Sequence, residues 1–189
     1  MPRKADSALE GRIVDAAYKL WSQGGEAALT MRGVARAAHT TTPTMYERFR
    51  DKHALIEFLR ERSRTRIFAA LQTAKTPLEM CRRGLEFTFK NGNEYLLFSA
   101  DFGERLGRNV SMPSLELLKA KLAQEIGGKP NDYAELTLAL MFQLHGTAMV
   151  ILGKRVQPKV ARRLQELCLA ACATLIGRAK RNRRVAPDH

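Results

Sequence analysis

The sequence predicts an all-α protein, and three observations carry that expectation. Apolar residues recur at helical spacing along most of the chain, and nowhere do they alternate with polar ones between turn residues, as in a strand. Helix-starting residues (Ser7, Thr30, Thr41, Asp51, Thr76-Pro77) and helix-ending glycines (Gly24-Gly25, Asn91-Gly92, Gly127-Gly128) punctuate the periodic stretches. The 189 residues are 45% hydrophobic, enough for a packed core in one large domain or two smaller ones. There is no internal repeat and no low-complexity segment.

Residues 1–6 form a polar lead-in, with Arg3 and Lys4 as a basic arm or an uncontacted tail. Ser7-Ala-Leu-Glu10 has the spacing of a capping box and starts a first helix. That helix turns Ile13, Ala16, Ala17, Leu20 and Trp21 inward and ends at Gly24-Gly25. Thr30 then caps a short helix with Val34, Ala35 and Ala38 on one face, and small residues there admit a close crossing. His39-Thr40-Thr41 breaks the pattern, because hydroxyl side chains favour caps over helix interiors. Thr41 caps the next helix, and Pro43 falls in its first turn, where the missing N–H costs nothing. Met45 and Phe49 face inward, leaving Thr42, Pro43, Thr44, Tyr46 and Arg48 outward or sideways. Two short helices across a tight turn make a helix-turn-helix, here braced by the first helix.

Asp51 caps a helix of about twenty residues, about 30 Å long. Leu55, Ile56, Leu59 and Phe58 give its early apolar face and Ile67, Phe68 and Leu71 its late one, with a solvated stretch at Glu61–Arg66 between. It reads as the link between two domains, residues 1–52 and residues 53–189. Beyond Thr76-Pro77 a helix carries Leu78 to Phe89, another runs from Asn93 through Phe102 and frays at Gly107, and a third runs from Pro113 to Ile126. A long apolar helix, Asn131 to Gly153, and a last one from Pro158 to Arg178 close the chain, followed by a solvated basic tail to Arg184. Apolar residues cover more than one face of the long helix, more than burial in a single subunit requires; two such helix pairs can form a four-helix bundle.

Net charge is +13 and the isoelectric point about 10.2, which suits an anionic partner. Cys81, Cys168 and Cys172 lack metal-ligand spacing and read as small buried hydrophobes in a reducing compartment. No leader of signal-peptide type begins the chain. The apolar run Leu136–Leu152, interrupted by Gln143 and His145, is expected not to span a membrane. Cytoplasmic localisation follows. No GxSxG, phosphate-cradling loop or HExxH is present, and nothing requires Asp101, Glu104 and His145 to meet, so no enzyme and no cofactor is expected.

The outward residues of the motif suit DNA: threonine and tyrosine hydroxyls reach phosphates, and arginine forks onto guanine. Residues 13 to 60 resemble the DNA-binding domain of TetR-family transcriptional repressors. The resemblance is carried by Thr30-Met-Arg-Gly-Val-Ala, Thr44-Met-Tyr, Phe49 and Asp51-Lys52-His-Ala-Leu55, in that order and spacing. It implies that Arg32 and Thr42 face bases, with Pro43 and Arg48 near base edges, and that Thr30, Thr44, Tyr46 and Lys52 hold phosphates, beside the Thr41 cap. Two positions depart from the family: glycine is usual where His39 stands, and an acidic residue where Gly33 stands. The resemblance further implies an N-terminal three-helix domain and a C-terminal helical ligand-binding and dimerisation bundle. Its expected partners are a palindromic double-stranded operator, a second copy held through the last two helices, and a small apolar or amphipathic effector, with no membrane. Chemistry alone nominates Phe87, Phe98, Phe102, Met112, Met141 and Met149 as effector lining and His145 as its polar contact. A ligand-free DNA-architectural protein is the alternative; stabilisation by a bound small molecule separates the two.

Overall fold

The computed structural model describes residues 4–108, 110–153 and 156–185, the side chains of 4–6 and 185 apart. Every regular element among the described residues is helical. The helices are α1 (Lys4–Ala28), α2 (Met31–Ala37), α3 (Thr42–Arg48), α4 (Lys52–Gln72), α5 (Pro77–Lys90), α6 (Gly92–Ser99), α7 (Phe102–Gly107), α8 (Pro113–Ile126), α9 (Ala134–Leu152) and α10 (Pro158–Val185). A short 3-10 turn, Pro130–Tyr133, leads into α9. The chain divides into two compact units, residues 1–65 with 91–108, and residues 66–90 with 109–189.

The first unit packs α1, α2, α3 and the start of α4 around Ile13, Ala17, Leu29, Val34, Met45, Leu55 and Leu59. Leu97 of α6, fully buried, belongs to the same core. Polar side chains tie this core together: the Tyr18 hydroxyl donates to the Leu59 carbonyl at 3.1 Å and lies 2.7 Å from Ser63 Oγ. The α4 arginines are not a solvated stretch. Arg62 pairs with Glu10 of α1 at 3.2 Å, and Arg64 with Asp101 at 2.6 Å. Two departures from the sequence reading accompany these pairs. Helix α1 begins at Lys4, so Ser7 lies inside it, and Glu10 reaches to Arg62 rather than back to a cap. The segment expected as one helix from Asn93 through Phe102, fraying at Gly107, is two, α6 and α7, separated at Ala100-Asp101, where the Asp101 carboxylate meets Arg64. Helical geometry in α1 fails at Gly24 and Gly25 (φ 62°), the latter in left-handed backbone that glycine adopts freely.

In the second unit, α5 packs against α8, α9 and α10, and α9 lies along α10. Thr76 caps α5, its hydroxyl accepting from the Glu79 N–H at 3.1 Å. Met80, Cys81 and Leu85 of α5, Leu118 and Leu122 of α8, Leu140 and Ala148 of α9, and Cys168, Cys172 and Ile176 of α10 are buried. All three cysteines are reduced, and the Cys168 thiol donates to the Gln143 carbonyl at 3.5 Å. The neighbouring Cys172 side chain, followed by burial, raises the Cys168 thiol pKa; at Cys172 the Cys168 side chain lowers it, but Cys81 and burial outweigh that. Both therefore stay protonated.

Helix α10 also differs from expectation: it runs through the basic stretch to Val185. Ile176 is buried and Lys180 pairs with Glu125 of α8, which holds that stretch as helix instead of a loose tail. The apolar helix is longer than the run Leu136–Leu152 read from the sequence. Pro130–Leu152, with a mean hydropathy of 1.4, is long and apolar enough to cross a bilayer by length and composition. Only 17% of that stretch is buried, and Phe142 and Val150 are more than half exposed.

Candidate nucleic-acid interface

Helix α2 begins where Thr30, in extended backbone, accepts the Gly33 N–H on its hydroxyl at 3.0 Å. A Cβ at residue 33 would stand 2.8 Å from that hydroxyl oxygen. Glycine there, a cost of about 0.5–1 kcal/mol on helix propensity alone, thus leaves room for the cap. Val34, Ala35 and Ala38 are buried, whereas Ala37 is exposed and takes no part in the crossing. The turn follows at His39, with φ 53°, the left-handed value for which glycine is usual. Arg12 of α1 braces it by donating to the Ala38 carbonyl at 3.1 Å.

Thr41 starts α3 in extended backbone, its hydroxyl accepting the Thr44 N–H at 3.3 Å and lying 2.9 Å from Thr44 Oγ1. Pro43 occupies the first turn. Met45 is fully buried and Phe49 nearly so, its ring 5.3 Å from Phe58. This anchoring on two side chains fixes which edge of α3 is free. Tyr46 is 54% exposed and Pro43 is exposed, with Thr42, Thr44 and Arg48 half-exposed beside them. Arg32 and Thr30, on α2 and its cap, are exposed as well.

Past α3, Asp51 caps α4. The Ala54 N–H at 2.8 Å, and then Arg50, hold its carboxyl below the usual carboxylate range. Lys52 is already engaged: its ammonium donates to the Glu26 carbonyl at 3.1 Å and lies 3.4 Å from the Glu26 carboxylate. It ties the start of α4 to the last turn of α1, so holding a phosphate requires it to share or leave Glu26. Between Thr30 and Arg50 stand four arginines, Arg32, Arg36, Arg48 and Arg50, against the single carboxylate of Glu47. A polar, hydroxyl-bearing edge among arginines, of which Arg50 pairs with Asp51 at 3.0 Å, suits a polyanion.

Residues 13–59 match the profile of the family described as bacterial regulatory proteins, tetR family. They form a tetR-family helix-turn-helix domain. The whole-chain fold is shared with solved structures. A TetR-like transcriptional regulator from Rhodococcus sp. RHA1 is 24% identical, with a TM-score of 0.65 over 92% of this chain and 98% of that one. PfmR from Thermus thermophilus, a TetR-family transcriptional regulator, is 16% identical, with a TM-score of 0.64 over 87% and 97%. The multidrug binding protein EbrR, solved with proflavin, is 22% identical, with a TM-score of 0.51 over 88% and 99%. A search of curated proteins finds no match.

Outside the tetR-family domain, the expected effector-lining residues fall into both units. Phe98, its ring tilted against that of Tyr95 with centroids 6.0 Å apart, and Phe102 lie in the first. Phe87, Met112, Met141, His145 and Met149 lie in the second. Met141, His145 and Met149 recur every fourth residue on α9, all half-buried, and Phe87 on α5 lies 5.8 Å beneath the Arg66 guanidinium. Desolvation lowers the His145 pKa, so the imidazole is neutral near pH 7. Among the described residues no group of three or more His, Cys, Asp or Glu is placed to hold a metal ion. Two contributors to the motif, Arg12 and Gly33, are not evident in the sequence: one acts through a carbonyl far along the chain and the other by leaving a space.

Proposed function

We propose that the protein is a homodimeric, sequence-specific transcriptional repressor that a small molecule releases from its operator. The observation carrying this reading is the α3 edge: a helix pinned by Met45 and Phe49, with Tyr46 more than half exposed, within a tetR-family domain. Residues 1–52 read DNA, and residues 53–189 sense and dimerise. Arg32 and Thr42 face bases, with Pro43 and Arg48 at base edges; Thr30, Thr44, Tyr46 and Lys52 hold phosphates, and Thr41 keeps α3 capped.

Exposed apolar surface on α9 and α10, at Phe142, Val150, Val160 and Leu167, supports dimerisation through those helices. A dimer sets two recognition helices at successive major grooves, about 34–36 Å apart. The effector reading rests on the Met141–His145–Met149 row with Phe87 and Met112, an apolar lining with one neutral imidazole as polar contact, and finds support in the proflavin bound to EbrR. An effector preferring a dimer with altered spacing shifts the population off DNA, and DNA weakens effector binding by the same factor. A tenfold effect needs about 1.4 kcal/mol of differential binding. The protein acts in the cytoplasm, without catalysis and without a membrane.

Gel-shift titration of Arg32→Ala and Tyr46→Phe tests the reading. Both are expected to bind DNA more weakly while remaining dimeric; unchanged affinity contradicts the assigned contacts.

A further inference from the structure

His39 is the one non-glycine residue with positive φ among the described residues. Such backbone is disfavoured for any residue with a Cβ; histidine tolerates it better than most, and glycine takes it freely. Three backbone hydrogen bonds impose it: Ala38 to Val34 at 2.8 Å, His39 to Arg36 at 3.3 Å and Thr40 to Ala35 at 2.9 Å. Arg12 holds the Ala38 carbonyl alongside. The turn therefore requires the conformation but not the imidazole. That imidazole is exposed, and among the described residues it has no hydrogen-bond, ion-pair or ring partner. A strained residue whose side chain returns nothing to the fold marks a surface where the side chain serves something outside it.

We propose that His39 is a DNA-backbone contact, its imidazole N–H donating to a phosphate beside the groove that α3 enters. This rests on the reading of α3 as the DNA-reading helix. A phosphate rather than a base edge is assigned because His39 stands on the turn, ahead of Thr40 and the Thr41 cap, and not on the exposed edge carrying Tyr46. The neighbouring Arg32, Arg36 and Arg48 draw the same anion.

The test uses the full chain with two duplexes of equal length, one selected by the unaltered protein from a random library and one unselected. His39→Gly is expected to melt about 2–4 °C higher, through relief of strain, and yet bind both duplexes about three- to tenfold more weakly. His39→Asn, which tolerates left-handed backbone and keeps an N–H donor, stays within about twofold of the unaltered protein. His39→Ala loses affinity as the glycine variant does, without the gain in melting temperature. Undiminished binding by His39→Gly overturns the proposal, and a loss confined to the selected duplex overturns the phosphate assignment. Should Arg32→Ala and Tyr46→Phe lose affinity while His39→Gly does not, this inference alone fails. Should the unaltered protein bind neither duplex, the reading of α3 fails and this contact with it.

Discussion

Helix α3 hides Met45 and Phe49 and leaves out threonines, an arginine and a tyrosine; helix α9 hides Leu140 and Ala148 and leaves out Phe142 and Val150. Both are half-covered helices, but their uncovered halves differ in what water can do for them. The polar edge of α3 is hydrated when alone and, on the proposed reading, exchanges that hydration for phosphates and base edges, so its partner can come and go. The apolar face of α9 gains nothing from water, about 25 cal/mol for each Å² left exposed, and its partner is expected to stay. The proposed function thus assigns one surface to reversible, salt-dependent contact and another to durable association.

The strongest way to break this contrast is to make the α9 face polar. Phe142→Glu with Val150→Glu is expected to yield helical monomers in sedimentation and to weaken DNA binding about 100-fold or more, since two linked sites gain avidity that one lacks. On the α3 side, Arg32→Ala is expected to cost about 10- to 100-fold in operator affinity, as for loss of a forked base contact, with Tyr46→Phe costing less and both remaining dimeric. Raising salt sharpens the difference: DNA affinity should fall steeply with a linear log–log slope, while dimerisation holds or tightens. Thr41→Ala removes a cap and is expected to destabilise the first unit by about 1 kcal/mol, read as a lower unfolding midpoint.

Acid gives the smallest and most diagnostic effect. Desolvation lowers the His145 pKa from its ordinary 6.5, so the unfolded chain takes up that proton more readily. The second unit should therefore hold its stability above about pH 6.5 and lose part of it as pH falls through the folded value. Asp51 is lowered from 3.8 by the Ala54 N–H and by Arg50, so its contribution to the first unit persists to lower pH and fades only below about pH 4. His145→Gln should remove the upper phase and Asp51→Asn the lower one in pH-dependent melts.

What the sequence makes legible follows from how local each cause is. The caps at Thr30, Thr41 and Asp51 and the inward pair Met45 and Phe49 act within one or two turns, and the fold of α2 and α3 can be read from them directly. Causes acting across the chain are not legible in that way. The break between α6 and α7 falls where Asp101 meets Arg64, Glu10 within α1 meets Arg62, and Lys180 near the end of α10 meets Glu125. Charged runs look solvated until their partners are known. At the candidate site the same rule holds: periodicity shows that Tyr46 and Arg48 leave the core, but not that Glu26 occupies Lys52 or that Gly33 makes room for the Thr30 hydroxyl.

Selection of bound fragments from random duplex DNA, followed by measurement of protein copies per fragment, bears most directly on the α3 edge. Two chains on an enriched palindrome, with half-sites about one helical turn apart or a multiple of it, is the predicted result. No enrichment over the starting pool, with Tyr46→Phe binding as the unaltered chain does, would contradict it.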